Sequence, residues 1–214
     1  MILKPQYLSG LYAITPDSNC PPAQLIQQVA AAIHGGARLI QYRAKCASAA
    51  ERRATAVALL ATCRAAQIPL IINDDVALAA AIGADGVHLG RDDPDPRAAR
   101  AQLGDAALIG VSCYNAPARA TAAAQAGATY LAFGSFFPSP TKPAAARATP
   151  ELLTAARELG LPLVAIGGIT PHNGSVLLAA GAQMLAVVSG VFDQPDITAA
   201  ARAYTSLFSQ ENSA

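Results

Sequence analysis

Tryptophan is absent from this 214-residue chain, and aromatic residues make up only 5% of it. Charged residues make up 14%, the formal net charge is +1, and no long run of like charge occurs. A nucleic-acid partner needs a basic field and stacking faces, and this composition supplies neither. No apolar run reaches the roughly 18 residues that suggest a membrane span. Met1-Ile2-Leu3-Lys4-Pro5 lacks the charged and apolar regions of a signal peptide. A cytoplasmic protein with no nucleic-acid and no membrane partner is expected. The four cysteines, Cys20, Cys46, Cys63 and Cys113, contain no C-x-x-C pair. A zinc site and a thioredoxin-like motif are therefore not indicated, and the cysteines read as reduced thiols.

Apolar residues are plentiful, at 53% of the chain, and no linker or low-complexity stretch divides them. A chain of this length closes one hydrophobic core, so a single domain over residues 1–214 is expected, with its core at about residues 9–208. Eight short β-rich runs alternate with longer Ala-rich stretches. They lie at Leu11 to Thr15, Leu39 to Arg43, Leu70 to Asn73, Gly86 to His88, Ala107 to Val111, Tyr130 to Phe133, Leu163 to Ile166 and Met184 to Val188. Most are apolar on both faces, as buried parallel strands are. Helices are expected between them, for example over Pro22 to His34, Ser48 to Ala66, Ala116 to Ala126 and Pro150 to Leu159. Glycines at Gly35-Gly36, Gly83, Gly127 and Gly181 stand where a helix would end before the next strand. Eight βα units in this length fit an α/β fold of the single (β/α)8 TIM-barrel type better than an open doubly wound sheet.

In such a barrel chemistry sits just beyond the C-terminal ends of the strands, and polar residues gather there. Gln41-Tyr42-Arg43-Ala44-Lys45 follows the second run, and strand alternation would send Gln41, Arg43 and Lys45 to one side. The same segment also reads as a strand running out into solvent. Asn73-Asp74-Asp75 and His88-Leu89-Gly90-Arg91-Asp92-Asp93 each bring carboxylates that suit a hard cation, although each could instead cap the following helix. Adjacent strands would set the two clusters side by side, where they could share Mg2+ with substrate phosphates. His88 lacks an H-x-x-x-H or Cys partner and is read as structural. Ser112 is a hydrogen-bond donor rather than a nucleophile, since no G-x-S-x-G elbow surrounds it, and Cys113 is read as packing. The loop Phe137-Pro138-Ser139-Pro140-Thr141-Lys142 gathers hydroxyls and an ammonium, beyond what a proline-stiffened turn requires. Gly167-Gly168 and Val188-Ser189-Gly190 follow the seventh and eighth runs, where this fold commonly holds phosphate.

From about Leu11 through Phe192 these segments resemble the thiamine-phosphate synthase family. The resemblance rests on Gln41-Tyr42-Arg43-Ala44-Lys45, Ile71-Ile72-Asn73-Asp74, Gly86-Val87-His88-Leu89-Gly90, Gly110-Val111-Ser112, the Phe137 to Lys142 loop and Ala165-Ile166-Gly167-Gly168. It implies a phosphate-binding barrel that condenses a hydroxymethylpyrimidine diphosphate with a thiazole phosphate, with Mg2+ as cofactor. Gln41, Arg43, Lys45, Asn73, Ser112 and Lys142 are implied to bind the pyrimidine diphosphate, with Arg43, Lys45, Ser112 and Lys142 acting in catalysis. The substrate site as a whole is expected to include Tyr42 and Ala44 from the first motif. Asp74 and Asp93 are implied to hold Mg2+, and Ser139, Pro140, Thr141, Gly168, Val188 and Ser189 to form the thiazole-phosphate side.

Three positions depart from the family's pattern: Ala44 replaces an acidic residue, Arg91 a Gln, and Tyr114 a His. Two rival functions share this fold, a thiazole-phosphate tautomerase and a non-catalytic barrel that binds phosphorylated metabolites. Neither needs two metal carboxylates beside three basic residues. A homo-oligomer is compatible with the sequence, which does not fix the oligomeric state.

Overall fold

Apolar runs of four to seven residues, each bounded by turn residues, are too short for helices and pair instead as strands. The computed structural model describes residues 8–17, 20–138 and 147–210. The elements alternate along the chain as β1 (Gly10–Ile14), α1 (Pro22–His34), β2 (Leu39–Tyr42), α2 (Ala49–Ala65), β3 (Leu70–Asn73), α3 (Val76–Ile82), β4 (Gly86–Leu89) and α4 (Pro96–Leu103). They continue as β5 (Leu108–Tyr114), α5 (Pro117–Gln125), β6 (Tyr130–Gly134), α6 (Pro150–Ala156), β7 (Leu163–Ile166), α7 (Ser175–Ala179), β8 (Met184–Val187), α8 (Ser189–Phe192) and α9 (Ile197–Gln210). Each strand pairs in parallel with the next, and β8 pairs with β1, which closes an eight-stranded barrel. Among the described residues no helix is long and apolar enough to cross a membrane.

Closure gives every strand an inner and an outer face. Tyr12, Ile14, Leu39, Ile71, Leu108, Tyr130, Val164, Met184 and Ala186 point inward and form one buried cluster inside the barrel. Leu11, Ala13, Ile40, Tyr42, Leu70, Ile72, Val87 and Leu89 point outward into a second core between strands and helices. The helices begin where the sequence supplies caps. Ser48 and Glu51 form a reciprocal capping box at α2, and the Asp75 and Asp95 side chains accept from Leu78 N and Arg97 N at the starts of α3 and α4. Gly83 ends α3 in the left-handed region, at φ +67°. At the far end of the chain α9 lies on α1, where Thr198 and Thr205 donate to the carbonyls of Ala31 (3.2 Å) and Gly35 (3.1 Å).

The main departure from the sequence-based expectation is β5, which runs on past Val111 through Ser112 to Tyr114, with a register irregularity between Ser112 and Tyr114. A polar Ser in a strand interior looks like a strand end, but here its side chain finds a partner inside the barrel and the ladder to β6 continues. The Pro150 to Leu159 helix divides into α6 and a 3-10 turn over Arg157–Leu159.

Gly110 of β5 lies against a large side chain inside the barrel. A Cβ there would run into the ring and hydroxyl of Tyr130. We expect Gly110→Ala to destabilise the protein by about 1–3 kcal/mol through overpacking, measured as a lower urea midpoint at unchanged slope. Wild-type stability in this variant would show that the ring moves aside freely.

Candidate active site

A cavity of about 670 Å³ opens at the C-terminal mouth of the barrel. Inward alternation places Gln41, Arg43, Asn73, His88 and Ser112 on one side of it, from β2 through β5. On the other side lie Gly167, Gly168, Val188 and Ser189, from the loops after β7 and β8. Gly168 has φ +63°, and a Cβ on it would meet the carbonyl oxygens of Phe137 and Pro138. Backbone therefore approaches backbone closely where a phosphate cradle is expected. The segment carrying Ser139, Pro140, Thr141 and Lys142 lies outside the described residues.

Charges of both signs meet along the rim from β1 to β4. Arg43 forms an ion pair with Asp17 at 3.0 Å. The other oxygen of Asp17 accepts from the backbone N–H groups of Lys45 (2.8 Å) and Cys46 (3.2 Å). Lys45 Nζ lies 2.9 Å from Asp74, and this contact raises the lysine's pKa. Asp74 sits in the left-handed region at φ +63°, its N–H tied to the carbonyl of His88 at 2.9 Å. Burial alone would raise the pKa of Asp74; contacts with Lys45, Asp93 and Asn73 outweigh burial and bring it below the ordinary carboxylate range. Asp93 accepts from Gly90 N–H, and its pKa is raised, first by burial and then by the neighbouring Asp74. Two hard-oxygen carboxylates thus meet, one raised by the other, which is the setting a divalent cation relieves. The capping alternative resolves residue by residue: Asp75 and Asp95 cap helices, leaving Asp74 and Asp93 at the rim.

Two residues expected at the substrate site direct their side chains away from the cavity. Tyr42 is buried on the outer face of β2, in the core beneath the helices, because strand alternation turns it away from Gln41 and Arg43. The Ala44 side chain packs against that same core and does not line the cavity.

Sequence reasoning misses Asp17, Tyr12 and Tyr130. A carboxylate directly after the first strand is a rim position like those after the third and fourth, which is the available signal for Asp17. The two tyrosines could be found from their inward phase in a chain poor in aromatics. The Tyr12 hydroxyl lies 2.6 Å from Gln41 Nε2 and 2.8 Å from the Tyr130 hydroxyl. Tyr130 lies 3.1 Å from His88 Nδ1, and His88 Nε2 lies 2.8 Å from Ser112 Oγ. His88 is thus buried and hydrogen-bonded through both ring nitrogens. Cys113 is fully buried, and burial pushes its thiol up to about 12, in keeping with a packing role. Arg91 and Tyr114, two of the departures from the family's pattern, touch each other: the guanidinium lies 4.9 Å from the ring centroid.

A family profile described as thiamine monophosphate synthase matches residues 11–191. The chain belongs to the thiamine-phosphate synthase family. A thiamine-phosphate synthase of Xanthomonas campestris is 54% identical over 205 residues, covering 96% of this chain and 98% of that protein. One from Thiobacillus denitrificans is 52% identical over 206 residues, covering 94% and 96%. Among solved structures, a thiamine phosphate pyrophosphorylase from Pyrococcus furiosus superposes with a TM-score of 0.86 at 30% identity, covering 96% of this chain and 98% of that one. At over 50% identity across nearly the whole length of both curated relatives, the activity is thiamine-phosphate synthesis, a group transfer.

Burial lowers the pKa of His88 from 6.5 to about 4, with nearby Asp74 opposing the shift. The unfolded chain therefore takes up a proton near pH 6.5 and the folded synthase only near pH 4. The stability linked to this difference is present above about pH 6.5 and is lost as pH falls through that window, by up to about 3 kcal/mol. Urea unfolding at about pH 7 and about pH 5 should show a smaller acid loss for His88→Asn than for the wild type. Equal losses would mean that His88 takes no part in the acid sensitivity.

Proposed function

We propose that this chain joins a hydroxymethylpyrimidine diphosphate to a thiazole phosphate, or its carboxylated form, releasing pyrophosphate. The supporting observation is that a single cavity carries two anion-binding ends of different chemistry. Arg43 and Asp17 line one end, with the Lys45–Asp74 pair on the rim beside it, and glycine backbone with Ser189 stands at the other. A phosphorylated metabolite alone would need one such end.

In the proposed reaction the bond between the pyrimidine methylene carbon and the diphosphate oxygen breaks, and the electron pair leaves with the oxygen. The thiazole nitrogen then donates its lone pair to the methylene carbon. No protein nucleophile enters the balance. Arg43 and Lys45, held by Asp17 and Asp74, stand where negative charge accumulates on the departing group, and Lys142 is proposed to join them. Asn73 and Ser112 line the cavity beside them and serve as further contacts to that group. Asp74 and Asp93 are proposed to hold Mg2+; bound there, it supplies positive charge to the diphosphate oxygens. Gly168, Val188 and Ser189 would seat the thiazole phosphate on the opposite wall, with Ser139, Pro140 and Thr141 from the neighbouring loop. Two substrates in one cavity gain proximity, and its apolar wall of Ile14, Ala132 and Val164 limits water at the cationic carbon.

A mass-spectrometric turnover assay with both substrates, with Mg2+ or with a chelator, tests this reading. Thiamine phosphate is expected only with Mg2+, and its absence from folded protein with intact substrates would favour the tautomerase instead. Asp74→Ala should lower kcat by roughly a hundredfold, the scale of one lost electrostatic contact to developing charge, with an unchanged circular-dichroism melt. Full activity in that variant would refute the metal assignment.

A further inference from the structure

Five side chains form one hydrogen-bonded line across the inside of the barrel, running Gln41, Tyr12, Tyr130, His88, Ser112, and both of its ends face the cavity. Its middle is buried, with Tyr12 at 1%, Tyr130 at 0% and His88 at 8% exposure, and of these three Tyr12 and His88 also border the cavity. The strands make room for it: Gly110 has no side chain where the Tyr130 phenol lies. The Tyr130 ring meets Tyr12 edge-on and stacks on His88, with centroids 5.9 and 5.7 Å apart. Among the described residues no buried side-chain nitrogen or oxygen is left without a partner. Apolar side chains would fill this space without any polar group to satisfy, so a continuous polar line points to a use.

The line has a direction. The amide nitrogen of Gln41 can only donate, so the Tyr12 oxygen accepts from it. Among the described residues Tyr130 is the hydrogen-bond neighbour that can take the Tyr12 proton, and Tyr12 is buried. Tyr12 therefore donates to Tyr130, and Tyr130 in turn donates to Nδ1 of His88. With Nδ1 accepting from Tyr130, the single ring proton of His88 sits on Nε2. Nε2 then donates to Ser112 Oγ, which leaves the Ser112 hydroxyl proton directed to the cavity.

We propose that Tyr12, Tyr130 and His88 are positioning residues that fix the Ser112 hydroxyl as a donor toward the leaving diphosphate. The proposal rests on the reading of the cavity as the synthase site. Reversing the line would turn the serine proton back onto His88 and present only lone pairs to an anion. The donor polarity of Ser112 is thus set at Gln41, at the other end of the line.

Two measurements test the proposal separately from the reading of the site. Nitrogen-15 NMR of histidine-labelled protein without substrate, with His88 assigned among the three histidines by its Asn variant, should show the Nε2–H tautomer. Tyr130→Phe, or Tyr12→Phe if the first does not fold, should shift His88 toward the Nδ1–H form. An Nδ1–H tautomer in the wild type would overturn the assigned direction whatever the protein catalyses.

In turnover, each Tyr→Phe change should lower kcat by about tenfold, one hydrogen bond's worth, with little change in KM. Combined with Ser112→Ala, Tyr130→Phe should cost nothing further, because it acts only through that hydroxyl. Independent, multiplying losses would mean that the tyrosine does not act through Ser112, and the proposal would fail even with the synthase activity intact.

Discussion

Closing eight parallel strands into a ring assigns every residue of every strand to one of two compartments, and the rest of the molecule depends on that assignment. With a side-chain period of two, one choice of phase sends Tyr12, Gln41, Asn73, His88, Ser112 and Ala132 inward and commits their neighbours to the shell beneath the helices. A slip of one residue in any strand would exchange the two sets. The outward residues are almost uniformly aliphatic, so such a slip would put polar groups against the helices and is strongly disfavoured. The helical shell thereby holds the strand side chains of the active site in register.

At the rim, electrostatics takes over from packing. Asp17 binds one cationic side chain and two backbone N–H groups, so the turn after β2 is shaped by a carboxylate from the end of β1. Lys45 is exposed over more than half its side chain, which makes its pairing with Asp74 weak as a source of stability and easily exchanged. Arg43 is more enclosed. The two cations beside each other therefore differ in exposure to solvent.

Much of this architecture is legible in the amino-acid sequence. The eight runs stand out because short aliphatic stretches bounded by Gly, Asn and Asp can do little else, and the βα alternation then leaves few topologies open. The residues that stay hidden depend on pairings with no local trace. Tyr12 and Tyr130 are separated by 118 positions and look like ordinary core aromatics until their hydroxyls meet. Tyr42 reads as a site residue from its position in a motif, although its phase sends it outward. Asp74 and Asp75 are equivalent by residue type, and only a backbone turn into the left-handed region separates the rim carboxylate from the helix cap. The roles of Ser139 to Lys142 rest on residue type and family resemblance alone, since that loop lies outside the described residues.

The pairing of β1 with β8 also bears on how the chain comes to be folded. A finished barrel has no free sheet edge, but every incomplete one has two, and the first strand keeps an unpaired ladder until the last strand arrives. The contacts that close the ring, including those of Thr198 and Thr205 with the end of α1, span 167 and 170 residues of sequence. Such closure is slow, and on a ribosome it must wait for nearly all of the chain to emerge. The most exposed moment in this protein's life therefore falls during its synthesis, when seven strands have formed and the ring is still open.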